Sequence, residues 1–215
     1  MKAAPRVQII DYGLGNLFSI QQACHQVGMD PVVSSSPKDL AGANGIILPG
    51  VGAFGQAMDR LRELDFVEPL RETLRAGKPM LGICLGMQLL FDESEEFGTH
   101  AGLALLPGKI RRIPDQVEAN RRLRVPNVGW NQVQLADGVQ DREILQGVRN
   151  GSYMYFVHSF YADPTDPADW LLATEYGKIR YCCATQRDSI LGVQFHPEKS
   201  GPLGLKLFDN WARTI

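Results

Sequence analysis

No stretch of this 215-residue chain stays apolar for the roughly 18 residues that a bilayer crossing needs. The opening Met-Lys-Ala-Ala-Pro-Arg is positively charged, but the apolar run behind it, at 7–10, is too short for a signal-peptide core. Neither sign of charge dominates. With 22 Lys and Arg against 24 Asp and Glu, the net charge of −2 gives no general attraction to nucleic acid or anionic membrane. Cysteine is scarce: Cys24, Cys84, Cys182 and Cys183 are too few and too scattered for a disulfide framework, and none has zinc-ligand spacing. Repeats, linkers and low-complexity tracts are missing as well. A cytoplasmic location is the expectation from these absences.

What is present is ordinary globular composition, 44% apolar and 21% charged, so disorder is excluded and residues 1–215 read as one domain with a real core. The informative stretch is Pro79-Met-Leu-Gly-Ile-Cys-Leu-Gly-Met-Gln-Leu-Leu-Phe91. Met80, Leu81 and Ile83 have the character of a buried parallel strand, and residues 85–91 read as a helix with a strongly apolar face. Cys84 sits at their junction between Gly82 and Gly86. Gly-x-Cys-x-Gly is the cysteine form of the nucleophile elbow, a tight strand-to-helix turn that lifts the nucleophile out of a sheet. The helix N-terminus and a nearby His would both favour a thiolate there. The same pattern also suits a buried Cys beside packing glycines, so a base elsewhere must decide.

Residues 190–200, Ile-Leu-Gly-Val-Gln-Phe-His-Pro-Glu-Lys-Ser, supply one. Residues 190–195 read as a last core strand stopped by Pro197, which lacks an N–H. His196 and Glu198, two apart, would share one side of an extended segment. A carboxylate there holds one imidazole nitrogen and leaves the other to take a proton from Cys84. Cys84, His196 and Glu198 read as a triad. The other three cysteines read as buried small hydrophobes.

Six segments now carry a resemblance: Ile10-Asp-Tyr-Gly-Leu-Gly-Asn16, Leu48-Pro-Gly-Val-Gly-Ala-Phe54, the elbow, Gly129-Trp-Asn131, Phe156-Val-His-Ser159 and Gly192-Val-Gln-Phe-His-Pro-Glu-Lys-Ser200. The chain resembles the class I (triad) glutamine amidotransferases, and within them the glutaminase subunits that serve imidazole glycerol phosphate synthases. The resemblance runs end to end. It implies that Val51, Gly52 and the Leu85 N–H form an oxyanion hole, that Gln88 and Glu96 hold the ammonium group of glutamine, and that Ser159 and Phe160 lie at its carboxylate end. It implies a heterodimer with a (β/α)8-barrel synthase subunit, with Asn16, Asn127, Trp130 and Asn131 near the partner surface or the gate. Asn127 stands where that family usually has His, and Phe160 where it commonly has Tyr. No metal or organic cofactor is needed for the glutaminase step.

The remaining pattern fits an α/β fold with a mixed, mainly parallel central sheet and helices on both faces. Strands are expected at 7–10, 31–33, 46–48, 153–160, 171–174, 179–184 and 190–195. Helices are expected at 17–27, opened by Asn16, at 66–76 and at 203–212. The Gly-x-Gly of the first loop lacks its third glycine, because Phe18 stands there, and is no dinucleotide fingerprint. Residues 109–124 hold six Lys or Arg against two acids without interleaved aromatics, the character of a solvated loop. His158 reads as structural, since His196 already has its carboxylate. Two other functions use the same fold. A free-standing glutaminase or gamma-glutamyl hydrolase would need no partner, and a non-enzymatic subunit would have no reason to keep all three triad residues.

Overall fold

The computed structural model describes residues 3–118, 121–140 and 142–215. In chain order its first half comprises β1 (Arg6–Ile10), α1 (Leu17–Gln26), β2 (Asp30–Ser34), β3 (Gly45–Leu48), α2 (Phe54–Glu63), α3 (Val67–Arg75), β4 (Met80–Ile83) and α4 (Leu85–Gln88). Then come β5 (Phe91–Ser94), β6 (His100–Ala101), β7 (Leu106–Arg112), a small hairpin of β8 (Val117–Glu118) and β9 (Arg121–Arg122), and β10 (Asn127–Leu135). The chain ends with β11 (Ser152–His158), β12 (Phe160–Pro164), β13 (Trp170–Tyr176), β14 (Ile179–Arg187), β15 (Ile190–Val193) and α5 (Gly201–Ala212).

The central part of the sheet runs β2-β1-β3-β4-β15 and is parallel throughout, as the alternation of strands and helices predicts. β3, β4 and β15 are buried at every position, which is why they read as continuous apolar runs. Successive side chains along them serve opposite faces. Val7, Ile9, Ile47, Leu81 and Ile83 pack with Ile20 and Cys24 of α1 and Leu207, Phe208 and Trp211 of α5. Ile46, Leu48 and Met80 pack on the other face with Phe54 and Leu61 of α2 and Leu70 and Leu74 of α3. Beyond β15 the sheet continues through β14, β12, β7 and β5 to β6, with β13, β10 and β11 branching from β14; these pairings are antiparallel except β5 with β7.

Three local expectations need correction. The helix after Cys84 stops at Gln88, and Phe91 opens β5. Residues 85–91 are buried on all sides, and such a run does not reveal its own secondary structure. The strand expected over 153–160 is broken at Ser159 into β11 and β12, which pair with different neighbours. His196 and Glu198 do not share an extended segment either: Pro197 opens a 3-10 turn over Pro197–Lys199, and the turn brings the two side chains together.

The basic stretch at 109–124 lies partly outside the described residues. Within them, Lys109 pairs with Glu93, Arg111 with Asp163 and Arg112 with Asp115, in keeping with a solvated surface. Among the described residues no helix is long and apolar enough to cross a membrane.

Candidate active site

β3, β4 and β15 are neighbours pointing the same way, so the residues leaving their C-terminal ends must meet at one edge of the sheet. The Pro49–Gly52 loop follows β3, Cys84 follows β4, and Gln194 to His196 follow β15. Cys84 N–H is tied across to Val193 O at 2.8 Å. The residue itself has φ 55° and ψ −113°, a conformation that costs a non-glycine residue about 1–3 kcal/mol. The glycines around it are required sterically. A Cβ on Gly82 would lie 2.9 Å from Gly86 O, and one on Gly86 would overlap the Leu48 carbonyl oxygen. The strand-to-helix turn is therefore the elbow that the spacing implied.

Cys84 is 7% exposed and opens on a cavity of about 290 Å³. Val51, Gly52, Leu85, Gln88, Glu96, Ser159, Phe160 and His196 line the same cavity, so nine of the residues singled out from sequence share one wall. Pro126, Val157 and His158 complete it. Cys84 Sγ approaches Val157 O at 3.8 Å and receives the Gln194 Nε2 donor at 3.7 Å. His196 Nδ1 bonds Glu198 Oε1 at 2.8 Å, with both side chains almost fully buried.

Among the described residues the buried Nε2 of His196 has no formed hydrogen bond, yet Cys84 lies close enough to act on the ring. Burial lowers the imidazole pKa, but the pull of Cys84 and then of Glu198 overrides it and lifts the value from 6.5 to about 10. The imidazole is thus held toward its protonated form beside the cysteine.

The other candidates divide. Gln88 Nε2 donates to Phe160 O at 2.8 Å and Gln194 Oε1 at 2.9 Å, leaving Oε1 as the acceptor available to a ligand. Glu96 Oε2 accepts the Phe54 N–H at 2.6 Å, which anchors the carboxylate at the start of α2. Leu85 is the first residue of α4, so its N–H has no acceptor within the helix. Asn16 lies outside the cavity wall; its side chain caps α1 through Ser19 N at 3.4 Å and bonds Ser19 Oγ at 2.9 Å. Trp130 is 53% exposed on β10 and packs edge-on against Tyr155, with half-buried Asn131 beside it.

Asn127 is not at the surface. It is 2% exposed and donates Nδ2–H to Tyr181 Oη at 3.2 Å, which removes it from any direct contact with a partner. Its position at the start of β10 turns the side chain inward, toward Tyr181. His158 is structural, as expected: Nδ1 reaches Phe160 O at 2.9 Å, Nε2 reaches Tyr181 Oη at 3.0 Å, and burial pushes its pKa down to about 4.

Sequence reasoning assigned no role to Tyr12 or Gln194, although both stand inside quoted motifs. Tyr12 Oη donates to Pro49 O at 2.8 Å, tying the first loop to the glycine turn, and burial beside Cys84 raises its phenol pKa. Gln194 is fully buried. No local signal marks either residue, because the contacts that define them join distant parts of the chain.

The chain as a whole is similar to known proteins. The family model described as glutamine amidotransferase class-I matches residues 8–214. The imidazole glycerol phosphate synthase subunit HisH of Syntrophotalea carbinolica is 45% identical over 206 residues, covering 95% of this chain and 98% of that one. The chain belongs to the class-I glutamine amidotransferases, in the HisH family. The HisH subunit of a Geobacillus species is 44% identical over 209 residues and is covered to 97%, as is this chain. Among solved structures, PurLQS from Thermotoga maritima aligns with a TM-score of 0.72 at 18% identity over 98% of this chain and 99% of that one. The glutaminase domain of Trypanosoma brucei CTPS with bound acivicin aligns at 0.64, with 18% identity over 98% and 94%. At that identity these two show that the chain shares their fold, and nothing finer.

Proposed function

We propose that the chain hydrolyses glutamine to glutamate and ammonia and passes the ammonia to a separate (β/α)8-barrel synthase subunit. That subunit would make imidazole glycerol phosphate and aminoimidazole carboxamide ribonucleotide in histidine biosynthesis. One observation carries the reading: Cys84 and His196, with Glu198 bonded behind the imidazole, meet in a cavity that also presents Gln88 and Glu96, acceptors suited to an ammonium group.

In this reading the Cys84 sulfur attacks the side-chain amide carbon of glutamine. The oxyanion is held by backbone N–H groups of Leu85 and the Val51–Gly52 turn. His196, protonated by the thiol and oriented by Glu198, gives its proton to the departing ammonia. It then takes a proton from water, which attacks the thioester; the C–S bond breaks and glutamate leaves. Gln88 Oε1 and the free oxygen of Glu96 hold the α-ammonium, and Ser159 and Phe160 stand at the carboxylate end.

The ammonia is useful only to an acceptor site, and the triad cavity has no second set of catalytic groups. The mouth of the cavity favours a docked partner. Val128 and Trp130 of β10 and Tyr153 and Val157 of β11 are exposed apolar residues on one hairpin, with Val128 opposite Val157, and Val157 itself lines the cavity.

The test is glutamate release by the purified chain, alone and with the synthase subunit and its nucleotide substrate. Coupled formation of imidazole glycerol phosphate from glutamine is the expected result. Full turnover indifferent to the partner would instead support a free-standing glutaminase.

A further inference from the structure

Gln194 touches the nucleophile from inside the core, and its hydrogen-bond polarity can be worked out atom by atom. Its Nε2 lies 3.7 Å from Cys84 Sγ and its Oε1 lies 2.9 Å from Gln88 Nε2. An amide can be reversed without changing its shape, so the assignment must come from the partners. The Phe160 carbonyl oxygen can only accept, and both Gln88 Nε2 at 2.8 Å and His158 Nδ1 at 2.9 Å reach it. Gln88 therefore turns its NH2 toward Phe160 and toward Gln194. The atom of Gln194 facing Gln88 must then be its oxygen, and the atom facing Cys84 must be an N–H donor.

The same Phe160 carbonyl fixes the far side of the network independently. His158 carries its proton on Nδ1 and is neutral, so Nε2 accepts from the Tyr181 hydroxyl at 3.0 Å. Tyr181 Oη in turn accepts Nδ2–H of Asn127 at 3.2 Å. A buried chain of donors and acceptors thus runs from Asn127 to Cys84 and admits one polarity. Its end at the sulfur is a donor.

We propose that Gln194 is a catalytic residue of this site, an N–H donor that stabilises the Cys84 sulfur whenever it carries negative charge. The role rests on the glutaminase reading given above. Sulfur is anionic twice in that cycle: after its proton passes to His196, and when the C–S bond of the second tetrahedral intermediate breaks and the electron pair returns to sulfur. Donation to an anion is stronger than donation to a neutral thiol, so the contact favours the reactive form.

The test is made on the full-length chain with Gln194→Met, which keeps length and removes the amide, and Gln194→Glu, which keeps an acceptor for Gln88 and removes the donor to sulfur. Alkylation of Cys84 by iodoacetamide, followed against pH, reads the thiolate without requiring glutamine turnover. The other ionisable groups facing this sulfur are His196 with Glu198 behind it, Tyr12, Glu96 and His158, and they are the same in every variant. A hydrogen bond to a charged group corresponds to roughly a tenfold effect or more. The alkylation rate at pH 7 should fall about tenfold, its acid limb should move to higher pH, and kcat for glutamine should fall with it while KM stays within about threefold. Folded variants that alkylate like the parent chain overturn the proposal.

If both variants fail to fold, the parent chain still decides. The side-chain N–H resonance of Gln194 should follow Cys84 ionisation and lose that dependence in Cys84→Ala. A resonance indifferent to pH in both overturns the assignment. Parent protein that alkylates as described but releases no glutamate even with the synthase subunit and its nucleotide substrate would instead refute the glutaminase reading and leave the Gln194 contact standing.

Discussion

Replacing Glu198 by Gln keeps the shape of the pair with His196 and removes its charge. The bond between Nδ1 and Oε1 is 2.8 Å long and almost fully buried, and among the described residues Glu198 Oε2 has no hydrogen-bond partner. The imidazole is therefore the main group that the carboxylate supports. A bond to a charged group contributes about 1.5–3 kcal/mol and a neutral one about 0.5–1.5 kcal/mol, so Glu198→Gln should lose about 1–2 kcal/mol of support for the imidazolium. At about 1.4 kcal/mol per factor of ten, kcat for glutamine should fall roughly 5- to 30-fold. His196→Ala should do far more damage, for two reasons. It deletes the group that moves the proton, and it leaves the buried Glu198 charge unpaired, which alone destabilises by about 3–5 kcal/mol. The assay is glutamate release in the complete synthase, with folding checked by thermal unfolding. Equal and total losses in two folded variants would refute this division of labour. So would an unchanged rate in Glu198→Gln.

Cys84→Ala should abolish glutamine hydrolysis while the complex still makes product from ammonium salts; glutamine-dependent synthesis surviving in that variant would remove Cys84 from the chemistry. The folded-state pKa of His196 is raised from 6.5 to about 10, so its contribution to stability is full below about 6.5 and is lost as pH climbs through about 10. Urea unfolding at pH 6, 8 and 10 should therefore show stability falling on the alkaline side, and falling less in Cys84→Ala, where the first of the two groups that raise the pKa is gone. Glycines flank Val51, and Gly52 already has φ +97°, so the peptide there can reorient at little steric cost. If partner docking aims that N–H at the oxyanion, the lone chain should release glutamate at least about tenfold more slowly than the liganded complex, since one such donor contributes roughly 10²–10³ in kcat. Equal rates would sink the gating idea.

The elbow, the His196–Glu198 pair and the parallel core were legible because each is written locally. Gly82 and Gly86 announce the elbow by the collisions their side chains would make, and β3, β4 and β15 announce burial by being apolar at nearly every position. The end of α4 was not legible, since a run buried on all sides gives no period to read. Tyr12 and Gln194 were hidden for another reason. Their partners lie 37 and 110 residues away, and a buried polar side chain is defined by what satisfies it.

The burial of Asn127 was hidden for a third reason, and β10 explains it. A surface hairpin normally turns apolar residues in and polar ones out. Here Asn127 faces in, bonded to Tyr181, while Val128 and Trp130 face out. The inverted pattern satisfies both demands on the strand only if the inner side holds a polar network and the outer side is covered. The first condition is met by the chain from Asn127 to Cys84. The second is what the proposed synthase subunit would supply, by covering Val128 and Trp130 beside Val157 of the cavity lining.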